Sequence, residues 1–195
     1  MNRSIALFAA ALLLSGCAGG YTLVKPVPVV VAQGTINVTP STAWNKAPRA
    51  PFDIPEEENW TQNGPLLDSV TFIGGLKDGQ AIAKQRAKDD QKVPVFRSNM
   101  TPQDLTSMVE SFYRIKAGTS VFETIRLSPS TFLGQMAIEY DFSYIAGNEV
   151  KRKGRAVIAV IDGKLYFMSL DAAALHYFDA ALPQFMEMTQ TASRA

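Results

Sequence analysis

A chain of 195 residues with 47% hydrophobic and 19% charged side chains has enough apolar material for one buried core and is not of disordered composition. Its 19 basic and 18 acidic side chains give a formal charge of +1, which excludes a general nucleic-acid binder, since that needs excess Lys and Arg to displace counterions from phosphates. A single cysteine, Cys17, and a single histidine, His176, exclude a disulfide framework, a thiolate metal centre and a multi-histidine metal site.

Met1-Asn2-Arg3 supplies a short positive start, and Ile5 to Leu14 is an uncharged apolar run. That run is too short for a bilayer, which takes roughly 20 apolar residues, but it has the length of an export-signal core. It closes in Leu14-Ser15-Gly16-Cys17, which resembles the bacterial lipobox: a branched apolar residue, two small residues and a cysteine. The resemblance implies residues 1–16 as a lipoprotein signal peptide and Cys17 as the lipidated first residue of the mature chain. The mature domain then has no thiol left. In the sorting rule of enteric bacteria, Ala18 in place of Asp implies the outer membrane, with the domain facing the periplasm; anchoring in the inner membrane is the alternative. Two or three acyl chains, at about 0.8 kcal/mol per buried methylene, make a permanent anchor.

Residues 17–33 read as the lipidated cysteine and a flexible tether. Gly19-Gly20 bends freely, Pro26 and Pro28 favour extended backbone, and the sixteen residues after Cys17 would reach on the order of 50 Å. The exposed run Val29-Val30-Val31 is unusual in a tether and is open to pairing with the domain, expected at 34–195 as one globular unit.

Thr35 to Thr39 alternates polar and apolar residues as a half-buried strand does, and Pro40 ends it. A proline-punctuated stretch, 43–58, carries Trp44, Phe52 and the acidic run Glu56-Glu57-Glu58. Asn63-Gly64 predicts a hairpin turn before Leu66 to Ile73. Asp78-Gly79 predicts a second reversal, with Gln80 to Ala83 as a short return strand. Lys84 to Lys92 mixes both charge signs as a solvated loop does.

Thr101-Pro102-Gln103-Asp104 opens a helix: a capping hydroxyl, a proline suited to the first position, and an acid near the positive end. Leu105, Met108, Val109, Phe112 and Ile115 give it one apolar face, and Gly118 fits its exit. An antiparallel meander follows at 120–127, 132–145, 150–161 and 164–170. Its turns are expected at Ser128-Pro129-Ser130, Ala146-Gly147-Asn148 and Asp162-Gly163, the last flanked by two strands apolar enough to be central. A closing helix spans about 174–191, with Leu175, Phe178, Leu182, Phe185, Met186 and Thr189 along one face and Pro183 inside. The fold class is therefore α+β, an antiparallel sheet packed by two amphipathic helices.

The pattern of Lys151 to Leu170 with its Asp162-Gly163 turn, followed by the helix Tyr177 to Ser193, resembles the PsbP-like α/β sandwich. Over the last 95 or so residues plus the helix at 101–116, this implies a non-enzymatic accessory or binding protein, although fold does not fix function. The segment Trp44 to Gly75 is similar to uncharacterised lipoproteins of Gram-negative bacteria, which imply no activity.

No catalytic constellation emerges. His176 stands at a helix start, no Gly-x-Ser-x-Gly elbow is present, and Gly74-Gly75 lacks a phosphate-loop pattern. Glu139 and Asp141 share a strand face and are expected to pair with basic groups on a neighbouring strand. Lys151, Lys153 and Arg155 share a face beside a turn, read either as a solvated edge or as a contact for anionic lipid headgroups. Trp44, Phe52 and Trp60 are either core or anchors for a protein partner. The expected function is a lipid-anchored, non-catalytic binding or envelope-assembly protein without cofactor, metal or nucleic acid, held to the membrane by its lipid and bound to another envelope protein. A carrier of an apolar, lipid-like small molecule is the alternative, and an envelope hydrolase the least favoured.

Overall fold

The structure is a computed structural model that describes residues 20–85, 92–119 and 121–195. In chain order it contains β1 (Thr22–Val24), β2 (Val29–Val31), β3 (Ile36–Val38), β4 (Trp44–Lys46), β5 (Glu57–Thr61) and β6 (Asp68–Lys77). After these come α1 (Pro102–Ala117), β7 (Val121–Phe132), β8 (Gln135–Ile145), β9 (Lys151–Ile161), β10 (Lys164–Ala173), α2 (Tyr177–Thr191) and β11 (Ser193–Arg194). Eight strands form one antiparallel sheet in the order β1-β4-β5-β6-β10-β9-β8-β7, and a small sheet is ordered β11-β3-β2. The fold is α+β, two helices on a large antiparallel sheet, as its sequence pattern implies.

Both faces of the large sheet are covered, which explains why its central strand β10 is buried at every position after Lys164. On one face Val70, Phe72, Met168 and Leu170 meet Phe178, Ala181, Phe185 and Met188 of α2, together with Val31, Ile36 and Val38 of the small sheet. On the other face Phe142, Ile158, Leu165 and Phe167 meet Leu105, Met108, Val109, Phe112 and Tyr113 of α1. The result is three layers around two apolar cores.

Two glycines record close approaches between these layers. The Phe142 ring lies flat over Gly154, its cross-strand partner, where an added Cβ would stand 2.2 Å from the ring. At Gly74 a Cβ would stand 2.0 Å from Thr35 Oγ1, so the bare backbone of β6 is what lets the small sheet settle on the large one.

Helix α1 starts as its sequence dictates: the Thr101 hydroxyl accepts from Asp104 N (3.2 Å) and the Asp104 carboxylate accepts from Thr101 N (2.9 Å), a reciprocal capping box. It ends at Gly118 with φ 63°. Asp162-Gly163 forms the expected two-residue hairpin turn, with φ 51° and 72°.

Several expectations are corrected. The tether drawn to residue 33 is shorter, because Thr22–Val24 pairs with β4 and Val29–Val31 with β3. Asn63-Gly64 does lie in the turn of the β5–β6 hairpin, but the connection is longer than two residues, 62–67, and is knotted by Asp68, which accepts from Gln62 N (2.6 Å) and from the Asn63 side chain (2.6 Å). After Asp78-Gly79 the chain does not return along β6; Ala81 makes only a single bridge to Val95. Strand β7 runs through Ser128-Pro129-Ser130 and turns instead at Leu133-Gly134, since a proline is tolerated on an edge strand whose outer side has no partner. Leu175 lies outside α2 and is exposed. The charged stretch at 84–92 falls mostly outside the described residues. No helix among the described residues is long and apolar enough to cross a membrane.

Candidate functional site

On the α1 face, where the helix ends, the large sheet is left partly uncovered. A cleft of about 420 Å³ opens there. Its floor is polar because inward-facing positions of five strands carry polar residues in one region: Glu57 and Asn59 from β5, Thr71 from β6, Asp171 from β10, Arg152 from β9 and Tyr144 from β8. One wall is the last turn of α1, with Phe112, Tyr113, Lys116 and Ala117; Pro48 and Leu66 form the opposite lip. The β8–β9 turn closes one end and is fixed to the helix, Gly147 N donating to the Ala117 carbonyl (3.1 Å).

Two ionic centres occupy the floor. In the first, Lys116 reaches down from α1 to Asp53 and to Glu57 (2.9 Å), beside the Phe112 ring. Asp53 also accepts from Ala50 N (2.7 Å), and Glu57 from the Asn59 amide (2.8 Å), which in turn accepts from the Thr71 hydroxyl (2.7 Å). In the second, Asp171 accepts from Arg152 Nε (2.7 Å) and from the Tyr144 hydroxyl (2.6 Å). Arg152 Nη1 donates to the Leu66 carbonyl (2.5 Å), tying the lip to the floor. Tyr113 bonds Ser169 (2.8 Å) alongside.

The electrostatics follow from burial. Desolvation pushes the Tyr113 and Tyr144 hydroxyls well above the usual phenol range, and the neighbouring Asp171 charge adds to it, so both stay protonated and Tyr144 donates to Asp171. Burial works against the Arg152 cation, but Asp171 outweighs it and the guanidinium is held more firmly charged than usual. Burial raises the Glu57 carboxyl above its ordinary value of 4.5, and the adjacent Asp53 adds to this, against the lowering by Lys116 and Asn59.

The Glu57 shift has a testable sign. Between 4.5 and the higher folded value, the folded state binds more protons at Glu57 than the unfolded state does. Glu57 therefore makes stability fall as pH rises through that window and level off above it. In Glu57→Gln this descent disappears, so the stability of the variant relative to the parent rises with pH from about 4.5 upward. Denaturant midpoints for both proteins across mildly acid pH check it; a constant difference would remove Glu57 as the titrating group.

The residues singled out in the sequence lie mostly elsewhere. Cys17 is outside the described residues. Trp44 and Trp60 are fully buried in the α2-side core, Trp60 edge-on to Phe72 (4.7 Å), so of the two readings left open for them the core one holds; Phe52 is half-buried. Lys151 is exposed, but Lys153 sits 3.7 Å from Asp179 and over the Phe178 ring, and Arg155 donates to Asp141 (2.6 Å). Two of the three cations offered as alternatives for headgroup contact thus have carboxylate neighbours. Glu139 and Asp141 do share a face and pair with basic neighbours, Arg126 on β7 and Arg155 on β9. His176 is an exposed residue at the start of α2, edge-on to Tyr177. Among the described residues no three His, Cys, Asp or Glu side chains are placed to hold a metal ion.

The floor residues Arg152 and Asp171 were missed, although β9 carries a signal for one of them. Arg152 alternates in phase with Gly154, Ala156 and Ile158, which places a cation on an apolar, inward face and demands a buried carboxylate nearby.

With this geometry in hand, the comparisons place the fold. No protein-family model matches the chain, and no curated protein sequence does. Among solved structures, the chain is similar to cyanobacterial PsbP (CyanoP) from Synechocystis, with TM-score 0.58 and 14% identity over 92% of this chain and 96% of that one. A second similar structure is LpqN, involved in cell envelope biogenesis of Mycobacterium tuberculosis, with TM-score 0.35 and 13% identity over 93% and 87% of the two chains. The architecture is thus the PsbP-like α+β fold, as the meander and closing helix imply.

Proposed function

We propose that this chain is a lipid-anchored, non-catalytic binding protein of the bacterial envelope that recognises a protein partner through the cleft at the end of α1. The observation that carries this reading is the prearranged floor. Asp53, Glu57, Lys116, Arg152 and Asp171 are fixed by one another and by Asn59, Tyr144 and backbone groups, beneath a largely apolar lip. Such a site binds without first having to order its own side chains, and it presents a few oriented polar groups within an apolar rim. Three carboxylates face two cations, which favours a partner segment bringing a Lys or Arg flanked by apolar side chains. A hydrocarbon ligand suits the cleft less well, since it would strip water from ionised groups and return no hydrogen bond. The anchor itself rests on the Leu14-Ser15-Gly16-Cys17 pattern, and outer-membrane placement facing the periplasm on Ala18.

A photoreactive residue placed at Leu66 is expected to yield a discrete envelope-protein adduct in cells, whereas one at Ile125, exposed on β7, yields none. Leu66 is 70% exposed, so Leu66→Asp is expected to leave stability within about 0.5 kcal/mol of the parent. The same variant is expected to lower recovery of the co-purified partner about tenfold or more, the effect of losing an apolar rim contact and setting a carboxylate against the partner's apolar side chains. Undiminished recovery with Leu66→Asp would place the interface elsewhere. An apolar small molecule found by native mass spectrometry in protein purified from cells would favour the carrier reading instead.

A further inference from the structure

The short distance between the lipidation motif and the first strand has a geometric consequence. We propose that the edge of the large sheet formed by β1, with the turn that follows it, docks directly on the membrane surface; this rests on the reading of Cys17 as the lipid anchor. Only five residue steps separate Cys17 from Thr22, where β1 begins its pairing with β4. Fully extended, five residues span at most about 18 Å. The leash is therefore far shorter than the tether suggested by the sequence, and β1 stays within that distance of the acyl chains. Strand β9, which carries Lys151, Lys153 and Arg155, lies five strand positions away in the sheet, about 24 Å at the usual inter-strand spacing.

The surface of this edge suits the contact. Of the eleven large apolar residues exposed among the described residues, four, Tyr21, Leu23, Val27 and Val30, fall within the ten-residue span 21–30, while the other seven are spread over the remaining chain. Cations accompany them. Lys25 is exposed in the β1–β2 turn, and the exposed Arg49 guanidinium meets the Pro55 carbonyl rather than a carboxylate, whereas Lys46, exposed opposite Thr22, is paired with Glu58 (2.9 Å). Apolar side chains beside exposed cations match the two layers of an anionic bilayer surface, acyl boundary and headgroup. Docked at this edge, the domain keeps its opposite edge, β7, about 34 Å from β1 across the sheet.

The test uses the full, lipidated protein in vesicles of phosphatidylethanolamine and phosphatidylglycerol at roughly 3:1, an anionic surface of the bacterial kind. Because lipidation consumes Cys17, the single-site variants Leu23→Cys, Val27→Cys, Ile125→Cys and Lys153→Cys each offer one thiol for an environment-sensitive fluorophore. Probes at 23 and 27 are expected to shift to the blue and to be quenched by nitroxide-labelled lipid several-fold more strongly than probes at 125 and 153. Equal quenching at all four positions, or the strongest at 153, overturns the docking. Mass spectrometry of the same samples separates the two claims. An acylated Cys17 with water-exposed probes at 23 and 27 refutes the docking and leaves the anchor standing, whereas an unmodified Cys17 refutes both.

Discussion

Replacing Asp171 by alanine is expected to destabilise the domain by about 3–5 kcal/mol, the usual cost of leaving a buried charge without its partner. Arg152 is only 4% exposed and its guanidinium is oriented by Asp171 through both the carboxylate and the backbone carbonyl. The Tyr144 hydroxyl would lose its acceptor in the same stroke. Against a total stability on the order of 5–15 kcal/mol, that loss brings the protein near its threshold. The expected signature is a large drop in urea midpoint with little change in slope. The cost comes from the orphaned groups more than from the lost attraction, so removing all of them together should restore much of it. Arg152→Met with Asp171→Leu and Tyr144→Phe is expected to be clearly more stable than Asp171→Ala alone. A single Asp171→Ala variant within 1 kcal/mol of the parent, roughly the worth of a solvated pair, would show that water reaches this ion pair.

A second large effect is expected at Phe142. Its ring is fully buried, packed against Tyr113 (4.8 Å between centroids), stacked on Phe122 (5.2 Å) and lying over Gly154. Truncation to alanine removes the centre of that aromatic cluster and opens a cavity beneath α1, for a cost of about 3–5 kcal/mol. Gly154→Val is disruptive for the opposite reason, since its side chain would enter the space the ring holds, with a penalty of about 1–3 kcal/mol or more. The two changes are therefore coupled. In the Phe142→Ala background valine at 154 has room, and the double variant is expected to be more stable than the sum of the single losses predicts by about 0.5–3 kcal/mol. Strict additivity in a denaturant cycle would mean that the ring does not cover Gly154 in solution.

Much of the fold is legible from local chemistry. Thr101 and Asp104 announce the start of α1, Asp162-Gly163 the central hairpin, and the alternation of Glu139 and Asp141 their cross-strand pairing with Arg126 and Arg155. Long, patterned strands carry enough period-two signal to be seen. Of the three-residue strands, β3 shows in the alternation of Thr35 to Thr39 and β2 only as an unusual valine run, whereas β1 and β4 carry no such signal and their pairing joins segments whose individual preferences are weak. Pro129 misled for a definite reason: a proline interrupts a strand only where its missing N–H is needed, and which strand is an edge is a property of the whole sheet. Trp44 and Trp60, near prolines in the sequence, read by residue type either as core or as surface anchors, and only their packing in the core shared with the small sheet and α2 decides between the two. The cleft was invisible for a related reason. Lys116 is 63 residues along the chain from Asp53 and 59 from Glu57 and meets them only in the folded chain, while Arg152 sits between Lys151 and Lys153, whose side chains alternate to the other face.

The small sheet sets an order of events for the folding chain. Strand β3 is flanked by β2 on one side and by β11 on the other, so its ladder joins residues near 30 to residues near 194. The central seam has the same character, because β6 has β10 as its neighbour and pairs Asp68 with Ala172. A chain that emerges N-terminus first, from a ribosome or through a translocation channel, has no partner for the inner edge of β6 until β10 arrives, and cannot close the small sheet until β11 does. Such long-range closure is slow and leaves the early segments open throughout synthesis. On the export proposed above, the chain reaches the membrane unfolded, and this arrangement delays closure of the small sheet until β11 has been delivered.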